Sequence, residues 1–483
     1  MTDAMLIVSE GMASASEYYS DCGPGDYLGS PPESTLASPF QSTTSVRWQT
    51  SATLLELPLT AQHTLIFNAS TPSRVVIVRR PVARLLAFFK MPRRLAELPA
   101  DMYPADLMCA AKKLADLQLL QPVDVNWHCP TPTAEAVSVW LHLTRQCNLR
   151  CDYCYVSPSA ESMDETTGYA AVEAAFRSAG QHGSRQLKIK YAGGEPTLNF
   201  GLLRRLHDHA AALAMQTGIE LSEAMLSNGV ALTADMAAYL AAEHIHLMIS
   251  LDGGRAAHDA QRPQVTGQGS FDAVRQGLER ALSYGLRPNL TITITERNAD
   301  RVAAAIAWAL EHDLRFNLNF LRRPGQPLPS EKLLAAGRQA LVVIESYRPA
   351  QRLIDNLLDH CSFARAHAYP CGAGHAYLVV DPRGRVARCQ MDIERAVATV
   401  GDADPLEKVR QAQTDFQNVA VTEKKECSLC NWRYVCAGGC PLYTYRLCGR
   451  NDVRSPYCDA YRILLPELLR LEGLRLLQWP PAG

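Results

Sequence analysis

Apolar residues recur along this chain with two different spacings, and changes between them divide it into regions. Residues 1–48 contain few apolar positions and many Ser, Thr, Pro and Gly, which predicts a disordered tail. Residues 49–128 combine short apolar runs with helical spacing, which predicts a small α+β module. Its predicted strands are Leu54–Leu57, Thr64–Asn68 and Arg74–Val78, and its predicted helices are Pro81–Phe89 and Ala105–Leu119.

From residue 138 the pattern alternates between apolar runs and amphipathic helices. The predicted strands are Ser138–Leu143, Leu187–Tyr191, Glu220–Leu226, His246–Ser250, Asn289–Ile294 and Arg315–Phe320. The predicted helices are Asp164–Ala179, Phe200–Met215, Thr233–Ala242, Phe271–Tyr284 and Arg301–Glu311, and Asp164 is predicted to be the N-cap of the first. Strands that alternate with helices indicate an α/β fold with a parallel sheet, here a partial (β/α)6 barrel over residues 135–325. Active sites of such folds lie at the carboxyl ends of the strands.

The remainder of the chain is predicted to have three parts. Residues 326–365 read as a helical bridge, residues 366–465 as a small cysteine-rich domain, and residues 466–483 as a C-terminal helix and tail. The final helical pattern, Tyr461–Leu477, carries a leucine stripe, which is typical of core packing.

Composition narrows the class of protein. The 48 basic and 49 acidic residues give a net charge of −1, so nothing indicates binding to nucleic acid or to a membrane surface. No apolar run is long enough to span a bilayer, and the N-terminus lacks the features of a signal peptide. Fifteen cysteines in a chain without an export signal indicate metal binding before disulfides, and therefore a reducing cytoplasm.

The strongest local signal is the C-x3-C-x2-C spacing of Cys147, Cys151 and Cys154, just past the first barrel strand. A [4Fe–4S] cluster usually takes four thiolates, so three leave one iron open to a small molecule. The alternative is a structural zinc site, which is usually closed by four ligands.

Polar residues follow the next strands. Gly193 and Gly194 allow close approach of a ligand to the backbone, and Glu195 offers a carboxylate to an ammonium group. Arg262 suits either a carboxylate ligand or a structural salt bridge. The other candidates at this end of the barrel are Tyr153, Ser227, Asn228, Ser250 and Asp252.

A second cysteine array lies near the C-terminus. Its spacing is C-x2-C-x5-C-x3-C, with one cysteine downstream and a C-x12-G-x4-C element upstream. The seven positions are Cys371, Cys389, Cys427, Cys430, Cys436, Cys440 and Cys458. A zinc ribbon would explain only the central four.

Together the two arrays resemble the radical S-adenosylmethionine (SAM) superfamily, in the group that carries a C-terminal SPASM domain. The resemblance implies that SAM chelates the open iron of a [4Fe–4S] cluster held by Cys147, Cys151 and Cys154 and yields a 5′-deoxyadenosyl radical. It also implies contacts to SAM: Gly193, Gly194 and Glu195 hold the amino group, and Ser227, Asn228 and Ser250 approach the carboxylate and ribose. Asp252 would shape the same rim, Tyr153 would lie near adenine, and Arg262 fits a recurring pattern.

The resemblance further implies two auxiliary [4Fe–4S] clusters. Cys371, Cys389 and Cys440 would hold the nearer cluster, and Cys427, Cys430, Cys436 and Cys458 the farther one. The nearer cluster then lacks a fourth cysteine. Two interpretations stay open: Cys361 completes it, or its fourth position is open to the substrate.

Relatives of this architecture mostly modify peptides or proteins, which implies a maturase of a ribosomally made peptide that forms a crosslink, a thioether or an epimerised residue. An external electron donor such as flavodoxin or ferredoxin is implied as well. The outline of residues 49–128 is similar to the recognition element of such maturases, which adds a leader peptide to its sheet edge. A capping subdomain without a peptide role is the alternative.

The sequence leaves two alternative functions open. An anaerobic sulfatase maturase forms formylglycine and places an Asp base directly after the cysteine of the G-x4-C element. Here Gln390 and Met391 follow Cys389 and Asp392 is displaced, so the general base is unidentified. The other possibility is a non-catalytic, peptide-binding iron–sulfur electron carrier.

Overall fold

The computed structural model describes residues 6–9, 46–69, 74–102, 105–123, 136–323, 325 and 327–480. The N-terminal region holds β1 Leu6–Ser9, β2 Arg47–Thr50, β3 Leu54–Pro58, β4 His63–Asn68, β5 Val75–Arg79, α1 Arg80–Phe88, β6 Arg93–Arg94, α2 Ala105–Asp116 and β7 Leu120–Pro122. Strands β1-β5-β4-β3 form an antiparallel sheet, and β6-β2-β7 form a second, smaller one. Helices α1 and α2 cover one face of the larger sheet.

The predicted disordered tail is wrong in two places. Leu6–Ser9 forms β1, and β2 begins at Arg47, inside the span assigned to the tail. Residues 1–5 and 10–45 of that tail lie outside the described residues.

The central region is the predicted parallel barrel. Its elements are β8 Ala136–Thr144, α3 Glu165–Gln181, β9 Gln186–Gly193, α4 Phe200–Thr217, β10 Glu220–Ser227, α5 Ala234–Ala242, β11 His246–Ser250, α6 Arg255–Gln261, α7 Phe271–Ser283, β12 Asn289–Ile294, α8 Ala303–Glu311 and β13 Phe316–Phe320. The six strands are parallel neighbours in chain order. Local sequence explains several helix starts: the Asp164 carboxylate caps α3 by accepting from the Thr167 N–H at 2.7 Å. Helix α6 was not predicted; it lies between the predicted strand His246–Ser250 and the predicted helix Phe271–Tyr284.

The C-terminal region extends the barrel sheet. It contains α9 Ser330–Tyr347, β14 Tyr377–Val380, β15 Arg385–Ala387, β16 Ala396–Thr399, α10 Pro405–Gln411, α11 Arg433–Cys436, α12 Pro441–Cys448 and α13 Cys458–Gln478. Strand β14 pairs in parallel with β8, so the sheet has nine strands in the order β13-β12-β11-β10-β9-β8-β14-β15-β16. The boundary predicted at residue 466 is wrong, because α13 begins at Cys458 and runs through it. Helix α9 fills only part of the predicted bridge.

The N-terminal module is packed tightly against the C-terminal region. The Phe67 ring of β4 stacks on Trp432 with centroids 5.8 Å apart and meets Phe363 edge-on at 5.6 Å. Helix α13 lies against the same sheet so closely that a Cβ at Gly473 would be 2.7 Å from Leu59. One core therefore joins the module to the cysteine-rich part of the chain.

Two negative findings apply to the described residues. All the cysteines there are free thiols, as expected for metal binding. None of the helices in these ranges combines the length and the apolar composition needed to cross a membrane.

Candidate functional site

A cleft opens at the carboxyl ends of the barrel strands, with a volume of about 1150 Å³ including its mouth. Of the residues singled out from sequence, it is lined by Cys147, Cys151, Tyr153, Cys154, Gly193, Gly194, Glu195, Ser227, Asn228, Ser250 and Arg262. The fold thus brings together residues from the ends of β9, β10 and β11, from the loop after β8 and from the segment after α6. This agrees with the position expected for the active site of a parallel barrel.

The three cysteines of the loop after β8 are held by backbone hydrogen bonds to the segment after α6. The Arg150 N–H donates to the Pro263 carbonyl at 2.8 Å, and the Asp152 N–H donates to the Gln261 carbonyl at 3.1 Å. These bonds fix the loop between the barrel rim and the α6 segment. Loop residues held in this way can present their sulfur atoms to one ion or cluster.

The two glycines after β9 are required by this loop. A Cβ at Gly194 would lie 2.1 Å from the Gln146 carbonyl oxygen, and a Cβ at Gly193 would lie 2.3 Å from that of Thr144. Gly193 also has φ +134°, a backbone region that side chains disfavour. The sequence predicted that the glycines admit a ligand; in the structure they also admit the backbone of the cysteine loop.

Burial raises the pKa of all three thiols, and that of Cys151 reaches about 11. The metal-free thiols are therefore protonated at neutral pH. Because metals bind thiolates, loading this site with iron releases protons.

Glu195 is fully buried and organises the neighbouring strand end. Its carboxylate accepts hydrogen bonds from the Ser227 hydroxyl at 2.7 Å and from the Asn228 N–H at 2.8 Å. It also accepts from the Thr197 hydroxyl at 2.7 Å. Burial raises the pKa of Glu195, whereas these donors lower it. The Asn228 amide in turn donates to the Asn148 side chain at 2.7 Å, next to Cys147.

Asp252, expected at the rim, is fully buried beneath it. Its carboxylate accepts from the Tyr153 hydroxyl at 2.5 Å and from the Gln261 amide at 2.7 Å. The Arg262 guanidinium lies 3.4 Å from the same carboxylate and also contacts the Tyr153 hydroxyl. Asp252 therefore positions Tyr153 and Arg262, which line the cleft, and does not line it itself.

Several lining residues were not singled out from sequence. Thr291 and Thr293 point into the cleft from β12, where they alternate with Leu290, Ile292 and Ile294 of the apolar core. The other such residues are Trp140, Leu149, Tyr155, Ala192, Leu226, Met248, Asn319, Phe320, Leu321, Arg322, Gln390 and Met391. A detectable signal exists for β12 and also for β13, where Asn317 and Asn319 alternate with apolar residues, because polar residues in a strand buried on both faces are unusual.

The upstream and central cysteines of the second array meet in a cavity beside the cleft, called here the nearer cavity. Cys371, Cys389 and Cys440 line it, and its volume is about 390 Å³ including the open space at its mouth. Arg322, Gln390 and Met391 line both this cavity and the cleft. A substrate in the cleft would therefore lie next to the three cysteines.

The remaining four cysteines, Cys427, Cys430, Cys436 and Cys458, line a second, more open cavity, called here the farther cavity. Burial raises the pKa of Cys427 to about 11 and that of Cys436 to about 12. The buried Lys424 is electrostatically coupled to cysteines of both cavities, namely Cys427, Cys436, Cys371 and Cys440.

Cys361 faces the farther set. Burial raises its pKa far above the usual value, and the neighbouring groups that raise it further are Cys436, Asp359 and Cys458. Its neighbour His360 has φ +54° and lines the nearer cavity instead. Cys361 is thus buried near cysteines of the farther set without lining their cavity, whereas His360 lines the nearer one.

Comparison with known proteins identifies the barrel. Residues 141–309, from β8 into α8, match the domain described as "Radical SAM superfamily". The barrel is a radical SAM domain. Its cofactors are therefore a [4Fe–4S] cluster and SAM, and the chain is an enzyme.

Two curated relatives extend beyond the barrel. The chain is 26% identical over 348 residues to the serine-type anaerobic sulfatase-maturating enzyme of Klebsiella aerogenes, covering 64% of this chain and 83% of that protein. It is also 26% identical over 314 residues to the mycofactocin maturase MftC of Mycolicibacterium smegmatis, covering 62% and 76%. A solved structure titled "Native anSMEcpe with bound AdoMet" shares the fold, with a TM-score of 0.58 at 17% identity over 71% of this chain and 99% of that one.

The residues of the radical SAM cleft fit both cofactors. Three cysteine sulfurs on one loop suit iron. Thr291 Oγ1 and Arg262 Nε are buried in the cleft wall without a hydrogen-bond partner among the described residues. Such atoms suit a polar ligand, because buried polar groups are rarely left unpaired.

Asp392 lies outside the cleft and the nearer cavity. Its carboxylate accepts a hydrogen bond from Arg446 at 2.8 Å. Gln390 lines the cleft in its place and accepts from the Tyr377 hydroxyl at 3.0 Å. The described cleft lining offers only one carboxylate, that of Glu195, which already accepts several hydrogen bonds.

Proposed function

We propose that this radical SAM enzyme modifies a ribosomally made peptide, and that its product is a crosslink, a thioether or an epimerised residue. One observation carries the proposal: the cleft and the nearer cavity share Arg322, Gln390 and Met391 as lining residues. A substrate segment between them would contact the SAM site on one side and the nearer cysteines on the other.

In this proposal Cys147, Cys151 and Cys154 hold the cluster that binds SAM. When bound, the cluster and SAM supply a 5′-deoxyadenosyl radical that abstracts a hydrogen atom. Gly193, Gly194 and Glu195 approach the amino group of SAM, while Ser227, Asn228 and Ser250 approach its carboxylate and ribose. Tyr153 and Arg262 complete the wall, and Asp252 acts from beneath by holding both.

The second array would hold the two auxiliary clusters. Cys427, Cys430, Cys436 and Cys458 ligate the farther one. The nearer one has Cys371, Cys389 and Cys440, and its fourth position is open to the substrate. The surroundings of Cys361 support this choice, since its coupled thiols are Cys436 and Cys458 of the farther set.

The partners follow from this assignment. The substrate is a peptide, and an external donor such as flavodoxin or ferredoxin supplies the electron. The module at residues 49–128 binds the leader of that peptide at its sheet edge. Its packing against Trp432, between two cysteines of the farther set, supports a fixed path from leader to active site.

Formylglycine formation is the second candidate, favoured by the match to most of a sulfatase-maturating enzyme. That reaction uses a base after the cysteine of the G-x4-C element, and an amide such as Gln390 cannot accept a proton at neutral pH. The outward position of Asp392, bonded to Arg446, counts against this function as well.

The mass of a short peptide encoded beside this gene, after anaerobic co-expression, tests the proposal. A loss of two hydrogens that disappears in a Cys147→Ala variant supports a crosslink, and tandem fragmentation then locates it. Deuterium uptake from heavy water at unchanged mass in ordinary water supports epimerisation. An aldehyde that reacts with a hydrazide reagent supports formylglycine instead. A peptide with none of these changes contradicts the proposal for that peptide.

A further inference from the structure

A short strand from the start of the chain lies on the edge of the module's larger sheet. Leu6–Ser9 runs antiparallel to β5, with Leu6 opposite Val78, Ile7 opposite Ile77, Val8 opposite Val76 and Ser9 opposite Val75. The next strand in sequence, β2, belongs to the other sheet. Strand β1 is thus added to the sheet from a distant part of the chain.

Without β1, strand β5 would be the edge of this sheet. The order β1-β5-β4-β3 places β4 on its other side, so β5 would lose every backbone partner on the outer side. An edge of this kind accepts an extended segment by backbone hydrogen bonding. The buried side chains of Val75, Val76, Ile77 and Val78 make it a strongly apolar edge.

Successive side chains of β1 enter different cores. Ile7 packs against the core that contains Phe67 and Ile77, and Val8 packs against the core beneath α1 and α2 that contains Val76. Both faces of the sheet are therefore covered at this edge. A segment that binds here needs adjacent apolar residues, one for each face, in an extended conformation.

The contact made by β1 is small. It pairs four residues, and both Ile7 and Val8 stay partly exposed. A strand of this size gains little from burial while its backbone loses freedom, so it is replaceable by a longer segment with the same pattern.

Within the proposed function, the leader binds at a sheet edge of this module. We propose that this edge is the outer side of β5, and that β1 is an internal competitor that occupies it until the peptide binds. The partner is an extended segment with adjacent apolar residues. Its identity as the recognition segment of the substrate rests on the proposed function. Because β1 is part of the same chain, its competition does not depend on protein concentration, and it raises the apparent Kd of an added peptide.

The experiment uses the chain's own segment as a probe. A fluorescein-labelled synthetic peptide of residues 1–12, MTDAMLIVSEGM, is titrated into the full chain and into a variant that lacks residues 1–12. Fluorescence anisotropy should show at least tenfold tighter binding to the truncated variant. A scrambled peptide of the same composition should bind neither protein.

Hydrogen exchange locates the binding site. Amides of Val75–Arg79 should exchange slowly in the full chain, faster in the truncated variant, and slowly again when the peptide is added. The double substitution Ile7→Asp and Val8→Asp in the full chain should reproduce the truncated behaviour without removing residues. Thr2→Asp, outside β1, should leave exchange and binding as in the unaltered chain.

Equal binding of the peptide to the full chain and to both altered chains would overturn the proposal. So would protection of Val75–Arg79 that is unchanged by truncation and by the double substitution. Neither measurement uses SAM or turnover, so a failure here is distinct from a failure of the peptide-modification test.

Discussion

Lys424 and Lys425 are neighbours in sequence with opposite surroundings. The Lys424 ammonium is buried and donates to the Ala437 carbonyl at 3.2 Å, among cysteines of both auxiliary cavities. Burial lowers the pKa of Lys424, and the coupled thiols raise it. The Lys425 side chain is 73% exposed and faces Asp452. Substituting each lysine in turn therefore distinguishes the effect of a buried charge on the clusters from that of a solvated charge.

Lys424→Met should make the reduction potentials of the auxiliary clusters more negative by roughly tens of millivolts. Reduction adds negative charge to a cluster, and a buried cation nearby favours that state. Potentiometric titration followed by electron paramagnetic resonance measures the shift. Lys425→Met is the matched control and should leave the potentials unchanged, since solvent screens its charge. Equal potentials in both variants would contradict this role for Lys424.

The side to which Cys361 points gives a second prediction at this scale. Cys440→Ala should lower the iron content of the reconstituted protein by roughly four atoms per chain, because a [4Fe–4S] cluster loses a ligand. Cys361→Ala should keep the iron content, since its thiol neighbours are Cys436 and Cys458 and the farther set already has four cysteines. A loss of iron in Cys361→Ala comparable to that in Cys440→Ala would show that Cys361 is a ligand.

At the scale of elements, the end of β9 and the cysteine loop after β8 depend on each other. Gly194→Ala should abolish SAM cleavage, because the added Cβ would lie 2.1 Å from the Gln146 carbonyl and displace the loop that carries Cys147. Gly201→Ala, seven residues on in α4, is the control, since the added Cβ would have the Arg205 guanidinium as its nearest neighbour, at an ordinary contact distance of 3.7 Å. Production of 5′-deoxyadenosine measures both. A Gly194→Ala enzyme with ordinary activity would contradict the packing argument.

The periodic elements were predictable because each strand and helix of the barrel carries its own apolar pattern. All six barrel strands were predicted, and Asp164 was placed correctly as the cap of α3. The pairing of β14 with β8 was not predictable, since the two strands are distant in sequence and a local pattern does not encode partners. Strand β1 was missed for a related reason: four residues in a polar tail gain their structure only from the edge of β5.

The candidate site likewise has some features that local sequence predicts and others that depend on tertiary packing. Cysteine spacing and strand-end motifs predicted the residues that now line the cleft, because these signals are local in sequence. The burial of Asp252 beneath Tyr153 and Arg262 depends on how three separate loops pack, which no single motif records. The contribution of Gln390 to the cleft depends likewise on the C-terminal region closing over the barrel.

At the scale of the whole molecule, one core joins the N-terminal module to the cysteine-rich region. We therefore predict that loss of the metal destabilises the module as well. Removing iron with a chelator should lower the melting temperature by at least roughly 5 °C, because cluster binding contributes to folding. Hydrogen exchange should rise in residues 427–440 and also in β4, since Phe67 stacks on Trp432. Helix α3, which packs against α4 and β8, is the internal control. Unchanged exchange in β4 would contradict the coupling.

Under the proposed function, SAM binds in the cleft lined by Cys147, Cys151 and Cys154. The most direct measurement is the amount of 5′-deoxyadenosine formed from SAM by the anaerobically reconstituted, dithionite-reduced protein. We predict time-dependent formation by the unaltered chain and none by a variant with all three cysteines replaced by Ala. No 5′-deoxyadenosine from the iron-loaded, unaltered chain, or equal amounts from the two proteins, would contradict the account.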